Sequence, residues 1–248
     1  MTYDDVKGGG YGPSKSACVA DWLHLHHLAC DDVIQRIACI HSRPNASAFS
    51  VSLQNRSSEN KTYLELECAL QNFILPSFEQ NLIFNRHEFL KAVSIRPLCH
   101  SSIPSTRLEG DKIVVSITWS NTLFDCVCLA HEMGHALQFF MSERTFVPPM
   151  VREKCAFVAE LAVIRYLEAN NITLAEKMKK IWNRENYFYI NVCSKTLMDL
   201  CSQLEAEYDY DMNYPLARSG AYDFFHCLGQ RSQSVHSLFS EGACRQEA

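Results

Sequence analysis

The chain has 248 residues, 47% of them hydrophobic and 21% charged, which is the balance of a globular protein able to bury one sizeable core. A formal charge of -5 with no run of Lys or Arg argues against a partner bound by neutralising phosphates, so nucleic acid is not expected. No uncharged apolar stretch reaches the roughly 18 residues of a membrane-spanning helix, and no membrane span is expected.

Twelve cysteines are many, but the opening M-T-Y-D-D-V-K-G-G-G-Y-G-P-S-K-S has no apolar core of the secretory type. The cysteines are therefore read as free thiols. None stands in a C-x-x-C pair, and Cys126, Cys128 and Cys155 lie in apolar runs where cysteine acts as a small hydrophobe. The expected setting is a reducing cytosol, either cytoplasmic or reached by export into a host cell without a cleaved signal.

Residues 1–14 are Gly-rich and polar and read as a flexible tail, followed by one domain over 15–248 with a helical N-terminal part (15–110) and a catalytic core (111–248). From Ser16 to His41 the apolar spacing is helical, with His24, His26 and His27 clustered within it. That cluster is either a second metal site or a partly exposed helix face. Ala48 to Leu53 alternates like a strand, and Thr62-x-x-Glu65 is a capping box opening a helix towards Leu75, which Pro76 should break. Ser77-x-x-Gln80 starts another helix to about Val93, and Pro97 and Pro104 bracket a loop.

Lys112 to Thr118, K-I-V-V-S-I-T, is the strongest strand signal, and it feeds the next helix through Ser120, Asn121 and Thr122. As an exposed edge it would bind an extended peptide by strand addition. The next helix contains L-A-H-E-M-G-H-A-L-Q, with His131, Glu132 and His135 in H-E-x-x-H spacing. Helical residues four apart share a face, so both imidazoles can aim at one point while Glu132 can take a proton from a water held there. The surrounding run from Leu123 to Met141 is apolar nearly all round and predicts a buried helix. Unpartnered buried polar groups cost roughly 2–7 kcal/mol each, a cost that a bound metal removes.

A catalytic zinc site needs a third protein ligand. Val151 to Leu167 is a second largely apolar helix, with Glu153 near its start and Glu160 two turns on along the same face. Glu153 is the candidate third ligand, the other reading being an acid favoured in a first helical turn. Glu160 would accept a hydrogen bond from a ligating histidine and fix its tautomer. After it, Thr173-x-x-Glu176 opens a further helix, and apolar spacing from Tyr189 to Leu204 gives another.

T-W-S-N-T-L-F-D-C-V-C-L-A-H-E-M-G-H-A-L (Thr118 to Leu137) resembles the active-site region of the oligoendopeptidase F and thimet oligopeptidase family, and Trp119, Asp125, Gly134 and the pair Glu153 and Glu160 fit its pattern. The resemblance implies a mainly helical zincin (gluzincin-like) domain with a small β-sheet, in which His131, His135 and Glu153 bind Zn2+ and Glu132 is the general base, supported by Glu160 and Asp125. The regulatory proteases of the immunity-region and radiation-response type are similar in H-E-x-G-H-A and in Glu153, Phe157, Glu160 and Leu161. In the first family a Y-x-Y stretch stabilises the oxyanion, and Tyr208-Asp209-Tyr210 is similar to it. Ser202 stands where that family has a histidine, and Tyr214-Pro215 replaces its Gly-rich turn. Tyr208, Tyr210 and Tyr214 are thus either oxyanion donors or packed tyrosines, with Arg218 and His226 as outside candidates.

The expected function is a zinc-dependent endopeptidase acting on a peptide or protein substrate. A regulatory zinc protease and a non-catalytic, zinc-stabilised binding protein are the alternatives. With about 110 residues ahead of the active-site strand, too few for a large covering lobe, an open cleft admitting a protein loop is expected.

Overall fold

The computed structural model describes residues 17–42, 65–81, 84–98, 103–227 and 232–240. The expected tail at 1–14, the expected strand from Ala48 to Leu53 and the Thr62 end of the capping box lie outside the described residues, as does the segment 43–64 on which an open cleft partly depends. The described residues are mainly helical with a small three-stranded sheet.

The one helix expected from Ser16 to His41 is two, α1 (Val19–Leu25) and α2 (Cys30–His41). His27 takes a left-handed φ of 53° and ends the first, and Ala29 N donates to Asp32 Oδ2 at 3.0 Å to start the second. Further on, α3 (Leu66–Ala69), a π segment (Leu70–Ile74) and α4 (Leu75–Asn81) follow without interruption through Pro76. Proline does not break the helix here because the wider π turn lies just ahead of it, relieving the clash between its ring and the preceding turn. The helix expected from Ser77 to Val93 is divided between α4 and α5 (Arg86–Ala92), the latter capped by Asn85, whose Oδ1 accepts from Glu88 N at 3.2 Å.

The expected loop between Pro97 and Pro104 gives way to strand at both ends. β1 (Val93–Leu98) contains Pro97, β2 (Ser105–Glu109) begins after Pro104, and β3 (Lys112–Thr118) follows a two-residue turn. Gly110 supplies the positive φ, 57°, that a tight hairpin needs. The order is β1-β3-β2, with β1 parallel and β2 antiparallel to β3. Pro97 is tolerated because β1 is an edge. β3 is therefore the central strand, with Ile113, Val114, Val115 and Ile117 fully buried, and the edges, one of which it was expected to be, are β1 and β2.

β3 leads through a turn at Asn121 (φ 61°) into α6 (Leu123–Met141), the buried helix the sequence predicts. Thr122 caps it, its Oγ1 accepting from Asp125 N at 3.2 Å, while Asp125 Oδ2 accepts from Ser120 N and Thr122 N at 2.8 Å each. Then come α7 (Pro149–Asn170), entered through a proline in its first turn, and α8 (Ile172–Asn186). Asn171 caps α8, not Thr173, accepting from Leu174 N at 3.1 Å. A π segment (Tyr187–Val192), α9 (Cys193–Cys201), a 3₁₀ turn (Tyr210–Asn213), α10 (Tyr214–Cys227) and α11 (Ser232–Phe239) complete the order.

One apolar cluster joins the sheet to α6, α7 and α8; a second, smaller one gathers Trp22, Ile37, Leu197 and Met212 from α1, α2, α9 and the 3₁₀ turn. At the crossing of α6 and α7 a Cβ on Gly134 would stand 2.7 Å from Ala159 Cβ and 2.9 Å from Ala156 Cα, so only glycine lets the two backbones approach this closely. The cysteines from Cys18 to Cys201 among the described residues are free thiols, and no helix among the described residues is long and apolar enough to cross a membrane.

Candidate metal centre

The close crossing of α6 and α7 brings three donors together. His131 and His135, one turn apart on α6, face Glu153 in the first turns of α7, and the ligand atoms of the three lie within 4.8 Å of one another. His131 Nε2 is 3.3 Å from Glu153 Oε2 and His135 Nε2 is 3.5 Å from Glu153 Oε1. This buried group, the one such group found among the described residues, could hold a metal ion. Glu153 Oε2 is buried with no hydrogen-bond donor, which is what a carboxylate oxygen directed at a cation requires. His131 Nδ1 donates to Glu160 Oε1 at 2.7 Å, which fixes the ring so that Nε2 is the nitrogen directed at Glu153.

The electrostatics of the three groups agree with that arrangement. Burial works against charge on His131, yet the Glu153 carboxylate close to Nε2 and the Glu160 carboxylate bonded to Nδ1 outweigh it and lift its pKa to about 10. Burial alone would raise Glu153, but the His135 and His131 imidazoles close beside it, with the hydrogen bond from Tyr210, bring it to about 2. Burial pushes His135 down to about 3 and keeps its imidazole neutral. A cation at this point takes over the balancing of Glu153 that a proton on His131 otherwise performs.

Glu132 lies at the edge of this group and is fastened by a residue the sequence did not single out. Thr106 Oγ1, on the edge strand β2, is 2.6 Å from Glu132 Oε2 and 2.9 Å from the Glu132 backbone oxygen. Burial raises the Glu132 carboxyl above its ordinary range, which strengthens it as a base. Thr106 is separated from Glu132 by 26 residues and belongs to a short strand, so no local pattern announces it.

The two tyrosines differ. Tyr210 Oη donates to Glu153 Oε1 at 2.6 Å, so its proton is spent on a candidate ligand. Tyr208 Oη instead accepts from Asn213 Nδ2 at 2.6 Å and keeps its own proton to donate. The amide of Asn213 is oriented by Trp22, whose indole Nε1 can only donate and does so to Asn213 Oδ1 at 2.9 Å. Burial raises both phenols, so both are neutral. Tyr214 packs on Tyr189, Tyr210 and Phe157.

Other expected residues lie elsewhere. The hydrogen bonds of Asp125 go to the turn ahead of α6, so its role is to start the helix and not to support a ligand. Arg218 stands behind Glu160 and does not face the donors. His226 lies in α10 with its side chain outside the described residues. The histidine cluster does not converge. His24 and His27 are exposed, while His26 Nδ1 donates to Trp22 O at 2.8 Å and its Nε2 accepts from Met150 N at 3.2 Å, capping the start of α7. Scanned against protein-family models the chain matches none, and searches of curated proteins and of solved structures likewise find no match.

Proposed function

We propose that this protein is a zinc-dependent peptidase with Glu132 as its general base. The observation that carries the reading is the buried His131, His135, Glu153 donor group with a carboxylate of raised pKa beside it. Tetrahedral ligands about 2.0–2.2 Å from zinc stand roughly 3.4 Å apart. The separations of 3.3 and 3.5 Å between the histidine nitrogens and Glu153 suit that spacing. The donor set, two imidazoles and one carboxylate, is that of a catalytic zinc site with an open fourth position.

Zinc bound there would supply Lewis acidity, polarising a scissile carbonyl and bringing the pKa of a water to about 7. The Glu132 carboxylate takes the proton of the attacking water and passes it to the nitrogen of the leaving amine, so that hydrolysis consumes one water and leaves an acid and an amine. Tyr208 donates its free phenolic proton as a hydrogen bond to the oxygen on which charge develops. Tyr210 keeps Glu153 in place. β2, the sheet edge that also holds Glu132 through Thr106, is the natural place for an extended peptide to add as a further strand, with its backbone supplying affinity that depends little on sequence.

The test compares wild type with Glu132→Gln on a mixed peptide library, each with its zinc content measured. The variant keeps shape and hydrogen-bonding capacity but cannot act as a base. It is expected to retain zinc while losing hydrolysis by roughly 10²-fold or more. Activity within a few-fold of wild type removes Glu132 from the mechanism. Zinc-loaded wild type that cleaves nothing leaves a zinc-stabilised binding protein.

A further inference from the structure

Arg218 on α10 is 1% exposed, a depth at which arginine is rare unless it is paired. Its guanidinium is held on every side. Nε donates to Asn186 Oδ1, Nη2 donates to Trp182 O at 2.7 Å, and Nη1 points at Glu160 Oε2 at 3.4 Å. Around it the rings of Trp182, Phe157 and Tyr189 lie 4.0, 4.7 and 4.8 Å from the guanidinium carbon. A long apolar side chain would fill such an aromatic box without the desolvation of a charge, so packing does not account for the arginine.

We propose that Arg218 is a positioning residue of the metal centre, acting on His131 through Glu160. The inference rests on the reading of His131, His135 and Glu153 as metal ligands. Glu160 is gripped at both oxygens: Oε1 receives the His131 Nδ1 proton at 2.7 Å and Oε2 faces Arg218 Nη1 at 3.4 Å. A glutamate side chain has three rotatable bonds, and a single hydrogen bond to a histidine leaves it free to swing. The second hold, on a guanidinium that cannot move because Asn186 and Trp182 fix its other nitrogens, removes that freedom. The imidazole of His131 is then pinned at Nδ1, with Nε2 presented to Glu153. Four elements, α6, α7, α8 and α10, thus act in series on the direction of one ring nitrogen.

The test measures zinc affinity by competition with a chromogenic chelator on the full chain, and so does not depend on knowing a substrate. Wild type, Arg218→Met, Arg218→Lys, Glu160→Gln and the double variant Glu160→Gln/Arg218→Met are compared, with circular dichroism confirming the fold of each. Arg218→Met and Glu160→Gln are each expected to weaken zinc binding by roughly 10- to 100-fold. The double variant should be no weaker than the poorer single one, because both remove the same hold. Arg218→Lys, which keeps the charge without the rigid fork, should recover part of the loss. Wild-type affinity in Arg218→Met overturns the inference, as does a loss that repeats in full on the Glu160→Gln background, since Arg218 would then act on the fold and not through Glu160. If Arg218→Met does not fold, the same cycle with Arg218→Lys decides. A wild type that binds no zinc overturns the metal reading itself, an outcome distinct from any of these.

Discussion

The two walls of the candidate centre are built on different physical principles. The donor wall, α6 against α7, is a contact of backbones and small side chains, closed by Gly134 over Ala156 and Ala159. The second wall, contributed by β2 and by the segment from Tyr208 to Asn213, is held through hydroxyls and an amide: Thr106 to Glu132, Tyr210 to Glu153 and Asn213 to Tyr208. Close packing fixes where a donor sits and tolerates almost no change of volume. A hydrogen bond fixes where a proton points and can be removed with little disturbance of volume. The first wall should govern whether an ion is held, the second what is done with it.

The largest effect that would break this division lies on the donor wall. Glu153→Ala leaves two imidazoles, which hold zinc poorly, and equilibrium dialysis should show a loss of affinity of about 10²-fold or more. Retention of wild-type zinc would remove Glu153 from the ligand set. Next comes the crossing itself. Gly134→Ala pushes a methyl into Ala159 and should destabilise the fold by about 1–3 kcal/mol in denaturant titration, although no ligand has been touched.

The tyrosines sharpen the contrast within one wall. Tyr208→Phe should lower turnover by roughly 10-fold or more at unchanged zinc content, since its phenol keeps a proton to give. Tyr210→Phe should instead weaken zinc binding by up to about 10-fold, because its hydroxyl serves a ligand. The reverse pattern would exchange their roles. The smallest effect concerns His26, whose pKa burial lowers from its ordinary value while the Trp22 carbonyl partly opposes this. A group whose folded pKa is depressed contributes stability that is complete above its unfolded pKa, about 6.5, and is lost as pH falls through the folded value. His26→Gln keeps an acceptor for Met150 N but does not titrate, so its melting temperature should fall less than that of wild type on acidification below pH about 6.5.

How much of this could be read from the chain follows from the range of each interaction. α6, α7 and the donor triad were legible because helical periodicity and H-E-x-x-H spacing are local, and Glu160 was found by its two-turn offset from Glu153. β3 was legible as a strand, but its central place was not, since β1 and β2 are short and one carries a proline. The Glu109-Gly110-Asp111-Lys112 stretch did carry a hairpin signal that could have supplied β2. Pro76 misled because a π turn is invisible to a rule written for α-helices. The Arg218 partners lie 32, 36 and 58 residues away, and no periodicity within α10 points to them.

The bond from Trp22 to Asn213 spans 191 residues, and around it Val19 N and Ala20 N donate to the carbonyls of Ala206 and Leu204, each at 3.0 Å. Closing so long a loop costs more chain entropy than joining neighbouring helices, and contacts of this kind form late in folding. α6 and α7 are adjacent in sequence and can meet while the chain is still being assembled. The Asn213 amide that bonds Tyr208 is oriented only after α1 has returned from the far end of the polypeptide. The α6–α7 donor group is thus expected to form before the contacts of Tyr208, and pulsed hydrogen exchange during refolding should protect the amides of α6 and α7 ahead of that of Tyr208.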